Sequence, residues 1–210
     1  MKLPKLNYPK GLFSIPNLLC FYRAAYLPVM IALSYADSAW RTDGISWPAW
    51  TNLFLFALAG LSDFLDGIIA RALGQTTLLG KFLDSSTDKL VVGVALMCLV
   101  AFHQLEGIWL VFAIVIYMRE ILIAGVREFM GLYNVVVHIS KMGKWKLTVQ
   151  MFSIGFLIVG DYGDALVPHT MAVGKFFFLI ATLLTVWSGW EYMREAWKTI
   201  QKMDAAEAKI

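Results

Sequence analysis

The chain has 210 residues, of which 59% are hydrophobic and 16% charged, and its mean hydropathy is +0.66. Soluble domains carry charge on about a quarter of their residues, so this composition excludes an ordinary soluble domain and favours a polytopic α-helical membrane protein. The formal net charge is only +3 and the basic residues are spread along the chain, so nucleic acid is not an expected partner.

The amino-terminal region begins with a short basic segment. Residues 1–14 alternate lysines with Leu, Tyr and Phe, which predicts a segment lying at the membrane interface. The apolar run that follows is longer than the core of a secretory signal and contains Arg23, so it predicts a retained first helix. Six apolar stretches, each near the length that crosses a membrane, follow one another: residues 15–36, 47–72, 82–103, 107–131, 145–161 and 171–193.

The basic residues outside the apolar cores of these stretches concentrate on one side of the predicted membrane. Arg41, between the first two stretches, is the exception on the other side. The residues on the basic side are Lys2, Lys5, Lys10, Arg71, Lys81, Lys141, Lys144, Lys146, Arg194, Lys198 and Lys202. The positive-inside rule therefore places both termini in the cytoplasm. Residues 194–210 are predicted to form a cytosolic tail, frayed over residues 201–210. Since the chain has no internal repeat or low-complexity linker, residues 1–210 are expected to form a single domain.

The cysteines and histidines do not suggest a site. Cys20 and Cys98 lie in different apolar runs without metal-ligand spacing, which predicts buried thiols rather than a disulfide or a metal centre. His103, His138 and His169 lie near predicted membrane boundaries, where interfacial or loop positions are the expected ones.

Four aspartates interrupt the second and third apolar stretches. Asp63 and Asp66 are three residues apart, and Asp84 and Asp88 are four apart, so each pair lies on one face of its helix. With a rise of about 1.5 Å per residue, all four lie about 5–12 Å inside the cytosolic ends of the helices. Two antiparallel helices joined by a short loop then bring the four carboxylates to a similar depth.

Four ionised carboxylates in a low-dielectric environment require neutralisation. Salt bridges are one solution, but only Arg71, Lys81 and Lys89 are near in sequence; proton or cation transport is another. A set of carboxylates without His or Cys suits Mg²⁺ or Mn²⁺, and four acids can hold two ions that clamp a diphosphate and activate a hydroxyl. Gly67 and Ala70 remove bulk beside the acids and leave room for a ligand.

The acids belong to a longer pattern, D-x2-D-G-x2-A-R-x8-G-x3-D-x3-D, which fixes eight residues over twenty-six positions from Asp63 to Asp88. This pattern resembles the signature of the CDP-alcohol phosphotransferase family. The resemblance implies an all-α membrane fold with six transmembrane helices, usually dimeric, and an active site that faces the cytosol. It also implies a divalent-metal-dependent displacement at the β-phosphate of a CDP-linked lipid, with release of CMP.

The resemblance also assigns roles to individual residues. The implied metal ligands are Asp63, Asp66, Asp84 and Asp88. Asp88 is also the implied general base for the acceptor hydroxyl. The residues implied to shape the CDP-lipid site are Gly67, Ala70, Arg71 and Gly80. Within that set, Arg71 counters phosphate charge.

Three further segments, residues 15–23, 119–130 and 140–151, are similar to the branch of this family that forms phosphatidylglycerol phosphate. Cys20 and Leu147 stand where threonines are common in that branch. The similarity implies CDP-diacylglycerol as donor, glycerol 3-phosphate as acceptor, and a bacterial inner membrane as the location. Inositol phosphate, serine and phosphatidylglycerol are the alternative acceptors.

A basic cluster in the second half of the chain suits a phosphorylated acceptor. Arg119 lies about 15–18 Å from the cytosolic end of its helix, where an arginine is costly unless it is paired or faces a wet cavity. Pairing with Glu120 or Glu128 is one alternative, and headgroup contact is an alternative for Lys146. The residues predicted to bind the acceptor phosphate are Arg119, Arg127, Lys144 and Lys146.

Overall fold

The computed structural model describes residues 15–39, 46–73, 78–133, 135 and 141–207. For some residues inside its helices it describes the backbone but not the side chain: residues 15–16, 64, 66–73, 78–81, 141–144, 204 and 206–207. In the described part of the chain the regular structure is entirely helical. The elements are α1 (Ile15–Ala39), α2 (Trp47–Leu73), α3 (Leu78–Ala101), α4 (Ile108–Leu132), α5 (Lys141–Val159), a 3₁₀ helix (Gly160–Ala165) and α6 (Thr170–Glu207). The all-α prediction is confirmed, and one helix covers most of each predicted apolar stretch.

The chain divides into two compact units. The first consists of residues Met1–Gln104 and Leu157–Thr170, and the second of residues Leu105–Phe156 and Met171–Ile210. The predicted metal-ligating acids belong to the first unit, whereas the predicted basic cluster belongs to the second.

In the first unit, α1 packs against both α2 and α3. A polar contact fixes the position of α1 along α2: the buried Tyr26 hydroxyl donates toward Asn52, lying 2.6 Å from its Oδ1 and 3.0 Å from its backbone oxygen. Asn52 in turn donates from Nδ2 to Ser34 Oγ at 3.1 Å. Because Tyr26 lies one helical turn after Arg23, the same contact fixes the depth of Arg23 beside α2.

The start of α2 is set by a side-chain cap. Ser46 precedes the helix, and its Oγ accepts a hydrogen bond from the backbone N–H of Ala49 at 3.3 Å. Ser46 Oγ also donates to Asp37 near the end of α1. A serine in this position satisfies one of the N–H groups that the first turn of a helix leaves without a partner.

In the second unit, α5 and α6 are joined by a hydrogen bond from Ser153 Oγ to the backbone oxygen of Gly174, at 3.1 Å. Lys175 lies over the ring of Trp109, with Nζ 5.9 Å from the ring centroid, which links α6 to α4. The interior of this unit contains polar as well as apolar groups, since Gln150 and Thr185 are fully buried there.

Three of the helices within the described residues are long and apolar enough to cross a membrane: Asn17–Ala39, Ile108–Leu132 and Thr170–Met203. Large apolar side chains also point outward, since Met118 is 65% exposed and Trp190 72% exposed. Such surfaces are costly in water and suit lipid contact. In α2, α3 and α5, charged residues interrupt the apolar pattern, and the six-span topology stays a prediction.

The predicted frayed end is wrong for residues up to Glu207, because α6 continues as a helix to that residue. The segment after residue 193 is rich in Ala, Glu, Lys and Arg, which are strong helix formers. Lys198 and Glu195 form an ion pair on its surface at 3.1 Å. With 38 residues, α6 is about 57 Å long, well beyond the thickness of a bilayer core.

The cysteines and two of the histidines occupy the environments expected from the sequence. Cys20 and Cys98 are buried thiols. His103 and His169 lie in the turns that follow α3 and precede α6, each with a positive φ of 60–63°, while His138 lies outside the described residues.

Candidate functional site

Three carboxylates converge where α2 and α3 lie beside α1. Asp63 comes from α2, and Asp84 and Asp88 come from successive turns of α3. One carboxylate oxygen from each lies within 4.8 Å of the others. The spacing of four residues between Asp84 and Asp88 explains why both face the same neighbour. The three side chains are 33%, 46% and 44% exposed, so the cluster is open on one side.

The other side of the cluster is closed by Arg23, which is only 1% exposed. Its Nη1 donates to Asp63 Oδ1 at 2.9 Å and also to Asp88 Oδ1. Its Nη2 donates to Asp84 Oδ1 at 2.7 Å. A single guanidinium therefore binds all three carboxylates. Fork-shaped donors of this kind suit several carboxylate acceptors at once.

Sequence reasoning missed this role of Arg23. The basic residues near the acids in sequence are Arg71, Lys81 and Lys89, whereas Arg23 is 40 residues from Asp63. Of the nearby cations considered, Lys89 donates to Ser85 Oγ on its own helix at 3.3 Å. The one signal for Arg23 was its position inside an apolar run, where a charged residue requires a partner.

The three carboxylates fit a hard divalent cation. They supply oxygen ligands only, which is the preference of Mg²⁺ and Mn²⁺. One oxygen from each lies within 4.8 Å of the other two, so the three acids surround one small volume. The contacts with Arg23 use the Oδ1 atom of each aspartate, so the second oxygen of each carboxylate takes no part in those contacts.

Five other predicted site residues have their backbone in these helices and their side chains outside the description. They are Asp66, Gly67, Ala70 and Arg71 in α2, and Gly80 in α3. Their predicted roles therefore stay predictions.

The basic cluster of the second unit is organised around one acid. Glu120 Oε1 accepts from Arg119 Nη1 at 3.3 Å and also pairs with Lys146 Nζ. Arg119 Nη2 donates to Ser188 Oγ on α6 at 3.1 Å. Lys146 is buried and Arg119 only slightly exposed, and these two cations share the carboxylate of Glu120, which gives the three groups a net charge of +1.

The other two predicted phosphate-binding residues are Arg127 and Lys144. Arg127 lies on α4 with an exposed side chain. Lys144 lies in the first turn of α5, and its side chain is outside the description. The structure thus brings Arg119 and Lys146 together through Glu120, a pairing with Lys146 that sequence reasoning did not predict.

Comparison with known proteins gives the family. The family model for CDP-alcohol phosphatidyltransferase matches residues 13–187. Three similar proteins carry the name CDP-diacylglycerol–glycerol-3-phosphate 3-phosphatidyltransferase. The one from Rickettsia typhi is 34% identical over 86% of this chain and 96% of its own length. The one from Pseudomonas fluorescens is 35% identical over 94% and 97%, and the one from Bacillus subtilis 32% identical over 90% and 98%.

The family match includes both the aspartate cluster and the Arg119–Glu120–Lys146 group, and the similar proteins align over nearly their whole length. The chain therefore belongs to the CDP-alcohol phosphatidyltransferase family.

Proposed function

We propose that this protein transfers the phosphatidyl group of CDP-diacylglycerol to glycerol 3-phosphate, forming phosphatidylglycerol phosphate and CMP. The observation that carries the proposal is the convergence of Asp63, Asp84 and Asp88 in a chain of the CDP-alcohol phosphatidyltransferase family. The names of the similar proteins support this donor and this acceptor.

The aspartates are proposed to hold Mg²⁺ or Mn²⁺, with Asp66 as a fourth ligand and room for two ions. When bound, the metal would neutralise the diphosphate and stabilise the leaving phosphate of CMP. The clustered carboxylate oxygens support this assignment, because three acids within 4.8 Å of one another repel unless cations neutralise them.

Asp88 is proposed as the general base. In the reaction, the acceptor hydroxyl oxygen forms a bond to the β-phosphorus while the bond from that phosphorus to the oxygen of CMP breaks. The hydroxyl proton passes to a carboxylate oxygen of Asp88. The Asp88 side chain is 44% exposed, so a substrate hydroxyl has access to it.

The cytidine diphosphate group is proposed to lie against the small residues of the signature. Gly67, Ala70 and Gly80 would let the ligand approach the backbone, and Arg71 would pair with phosphate oxygens. These assignments follow from the signature and from the place of these residues in the same two helices as the acids.

The phosphate of the acceptor is proposed to bind the basic cluster, made of Arg119, Arg127, Lys144 and Lys146. Its support is the charge excess in the second unit: Arg119 and Lys146 share the single acid Glu120. A phosphomonoester would compensate that excess, whereas serine, which carries no phosphate, would not. The inositol phosphate alternative is opposed by the names of the similar proteins.

The proposed membrane arrangement has six spans, cytoplasmic termini and a catalytic site facing the cytoplasm of a bacterial inner membrane. Residues 1–210 would act as one catalytic domain in a homodimer. Three apolar helices support the membrane location, and the remaining features follow from charge distribution and from the family.

The direct test measures CMP release by the purified full chain in detergent with CDP-diacylglycerol and a panel of acceptors. Glycerol 3-phosphate should give phosphatidylglycerol phosphate, while inositol phosphate, serine and phosphatidylglycerol should give far less product. EDTA should abolish turnover, and added Mg²⁺ or Mn²⁺ should restore it. No CMP with any acceptor in the presence of either metal would exclude the proposed reaction.

A further inference from the structure

Arg23 and a divalent cation would face the same three acids. Arg23 is buried, and its guanidinium contacts the Oδ1 atom of each of these aspartates. The aspartate side chains themselves are about one third to one half exposed, whereas the arginine is not. The same aspartates can therefore bind the guanidinium and still have exposed surface from which a cation can approach.

The charge balance shows what the arginine contributes. Asp63, Asp84 and Asp88 carry three negative charges when ionised, and Arg23 reduces the total charge of these four groups to −2. Without Arg23, three carboxylates within 4.8 Å of one another would repel in a partly buried environment. The arginine thus allows the acids to stay together before a metal arrives.

We infer that Arg23 is a positioning residue of the metal site. It preassembles Asp63, Asp84 and Asp88 in the metal-free protein and lowers the affinity of the site for divalent cations. This inference rests on the proposed function for the identity of the bound ion as Mg²⁺ or Mn²⁺. It concerns the metal-free state and the strength of metal binding, neither of which requires substrate.

The inference has a definite sign. Removing the guanidinium destabilises the metal-free protein, where nothing else in the described cluster neutralises the three acids, more than it destabilises the metal-bound protein. By linkage, a cation that binds the folded state then stabilises the variant more than it stabilises the wild type. An arginine that only fills space would lower stability equally with and without metal.

The test uses the full chain in detergent and two measurements: the thermal unfolding midpoint in EDTA and in Mg²⁺, and the dissociation constant of Mn²⁺ followed by electron paramagnetic resonance. For Arg23→Gln, we expect a lower unfolding midpoint in EDTA than for the wild type and a larger increase of that midpoint on adding Mg²⁺. We also expect the variant to bind Mn²⁺ at least about tenfold more tightly than the wild type. Arg23→Lys keeps the charge but loses the fork-shaped set of donors, so both of its measured values should lie between those of the wild type and those of Arg23→Gln. The control is Arg194→Gln, at an exposed position of α6.

A charge-balanced variant keeps the test decisive if Arg23→Gln folds poorly. Arg23→Gln/Asp63→Asn removes one charge of each sign, and it should recover the midpoint in EDTA. An equal loss of stability in EDTA and Mg²⁺, weaker Mn²⁺ binding, or failure of the double variant to fold would each overturn the inference. Wild-type protein that binds Mn²⁺ but releases no CMP would overturn the proposed function and leave this test intact.

Discussion

Arg119 lies directly against Gly189. A Cβ atom at position 189 would lie 3.1 Å from Arg119 Cγ and 3.3 Å from its Nε. The neighbouring Ser188 hydroxyl accepts from Arg119 Nη2 at 3.1 Å. The backbone of α6 and the adjacent hydroxyl therefore fix the arginine along its length, so its guanidinium is held in place before any acceptor binds.

Gly189→Ala should weaken acceptor binding while the fold is kept. The added methyl would displace Arg119 by a few tenths of an ångström, and a small misplacement of a phosphate-positioning group costs about fivefold in KM for glycerol 3-phosphate. The KM for CDP-diacylglycerol should not change. Stability should hold or rise, since alanine is favoured over glycine in a helix by about 1 kcal/mol. Steady-state kinetics and thermal unfolding measure both effects.

The matched control for this substitution is Gly125→Ala on α4, where an added Cβ meets nothing within 4 Å. It should raise helix propensity without affecting the acceptor KM. Equal KM values for the two variants would show that the contact between Gly189 and Arg119 does not control acceptor binding.

The ion pair between the buried Lys146 and the partly exposed Glu120 predicts strong coupling between the two residues. Glu120→Gln leaves a buried ammonium without its counter-charge, which should lower the free energy of unfolding by about 3 kcal/mol. The double variant Glu120→Gln/Lys146→Met removes both charges and should recover most of that loss. Reversible unfolding in detergent for all four members of the cycle measures the coupling energy.

Activity separates the structural role of Lys146 from its proposed binding role. The double variant should stay stable but show a much higher KM for glycerol 3-phosphate, because the proposed phosphate-binding charge is gone. If it regains stability and wild-type kinetics together, Lys146 serves the fold alone and the proposed acceptor site loses one of its members.

The sequence predicted the aspartate cluster because its spacing is local. Asp84 and Asp88 are one helical turn apart, so helix geometry alone places them on one face. Asp63 lies in the preceding helix, which the short connection predicts to be an antiparallel neighbour. The structure confirms the helices and brings these three acids together, while the side chain of Asp66 lies outside the description.

The counter-charge could not be predicted in the same way. Which face of α1 meets α2 depends on the packing of three helices, and no periodicity within residues 15–39 specifies it. The buried contact between Tyr26 and Asn52 fixes that packing, and Arg23 lies on the same face one turn earlier. Pairing of Lys146 with Glu120 likewise depends on the packing of α5 against α4.

Tyr26→Phe should reduce stability without a large loss of activity. The substitution removes the hydroxyl that contacts Asn52 Oδ1 at 2.6 Å and leaves a buried acceptor unsatisfied, at a cost of about 1–2 kcal/mol. Apolar packing of the ring is kept, so Arg23 should stay near the acids. The exposed Tyr35→Phe on the same helix is the control, and it should leave the unfolding midpoint unchanged. Matching midpoints for the two variants would show that the Tyr26 contact contributes nothing to stability.

Asp88→Asn and Asp84→Asn should differ in how they respond to metal. Both remove a proposed ligand, so both should bind Mn²⁺ more weakly than wild type. Only Asp88 is also proposed to accept the hydroxyl proton, and loss of a general base lowers kcat by about 100-fold or more. Raising the Mg²⁺ concentration should therefore recover part of the activity of Asp84→Asn but little of that of Asp88→Asn.

The control is Asp161→Asn, because Asp161 is an exposed carboxylate in the 3₁₀ helix, outside the cluster. That variant should keep wild-type kcat and Mn²⁺ affinity. If Asp88→Asn recovers to the same extent as Asp84→Asn at high Mg²⁺, then Asp88 serves as a metal ligand and a different group accepts the proton. The role of base would pass to another acid of the cluster, and Asp63 is the first to test because its Oδ1 shares Nη1 of Arg23 with Asp88.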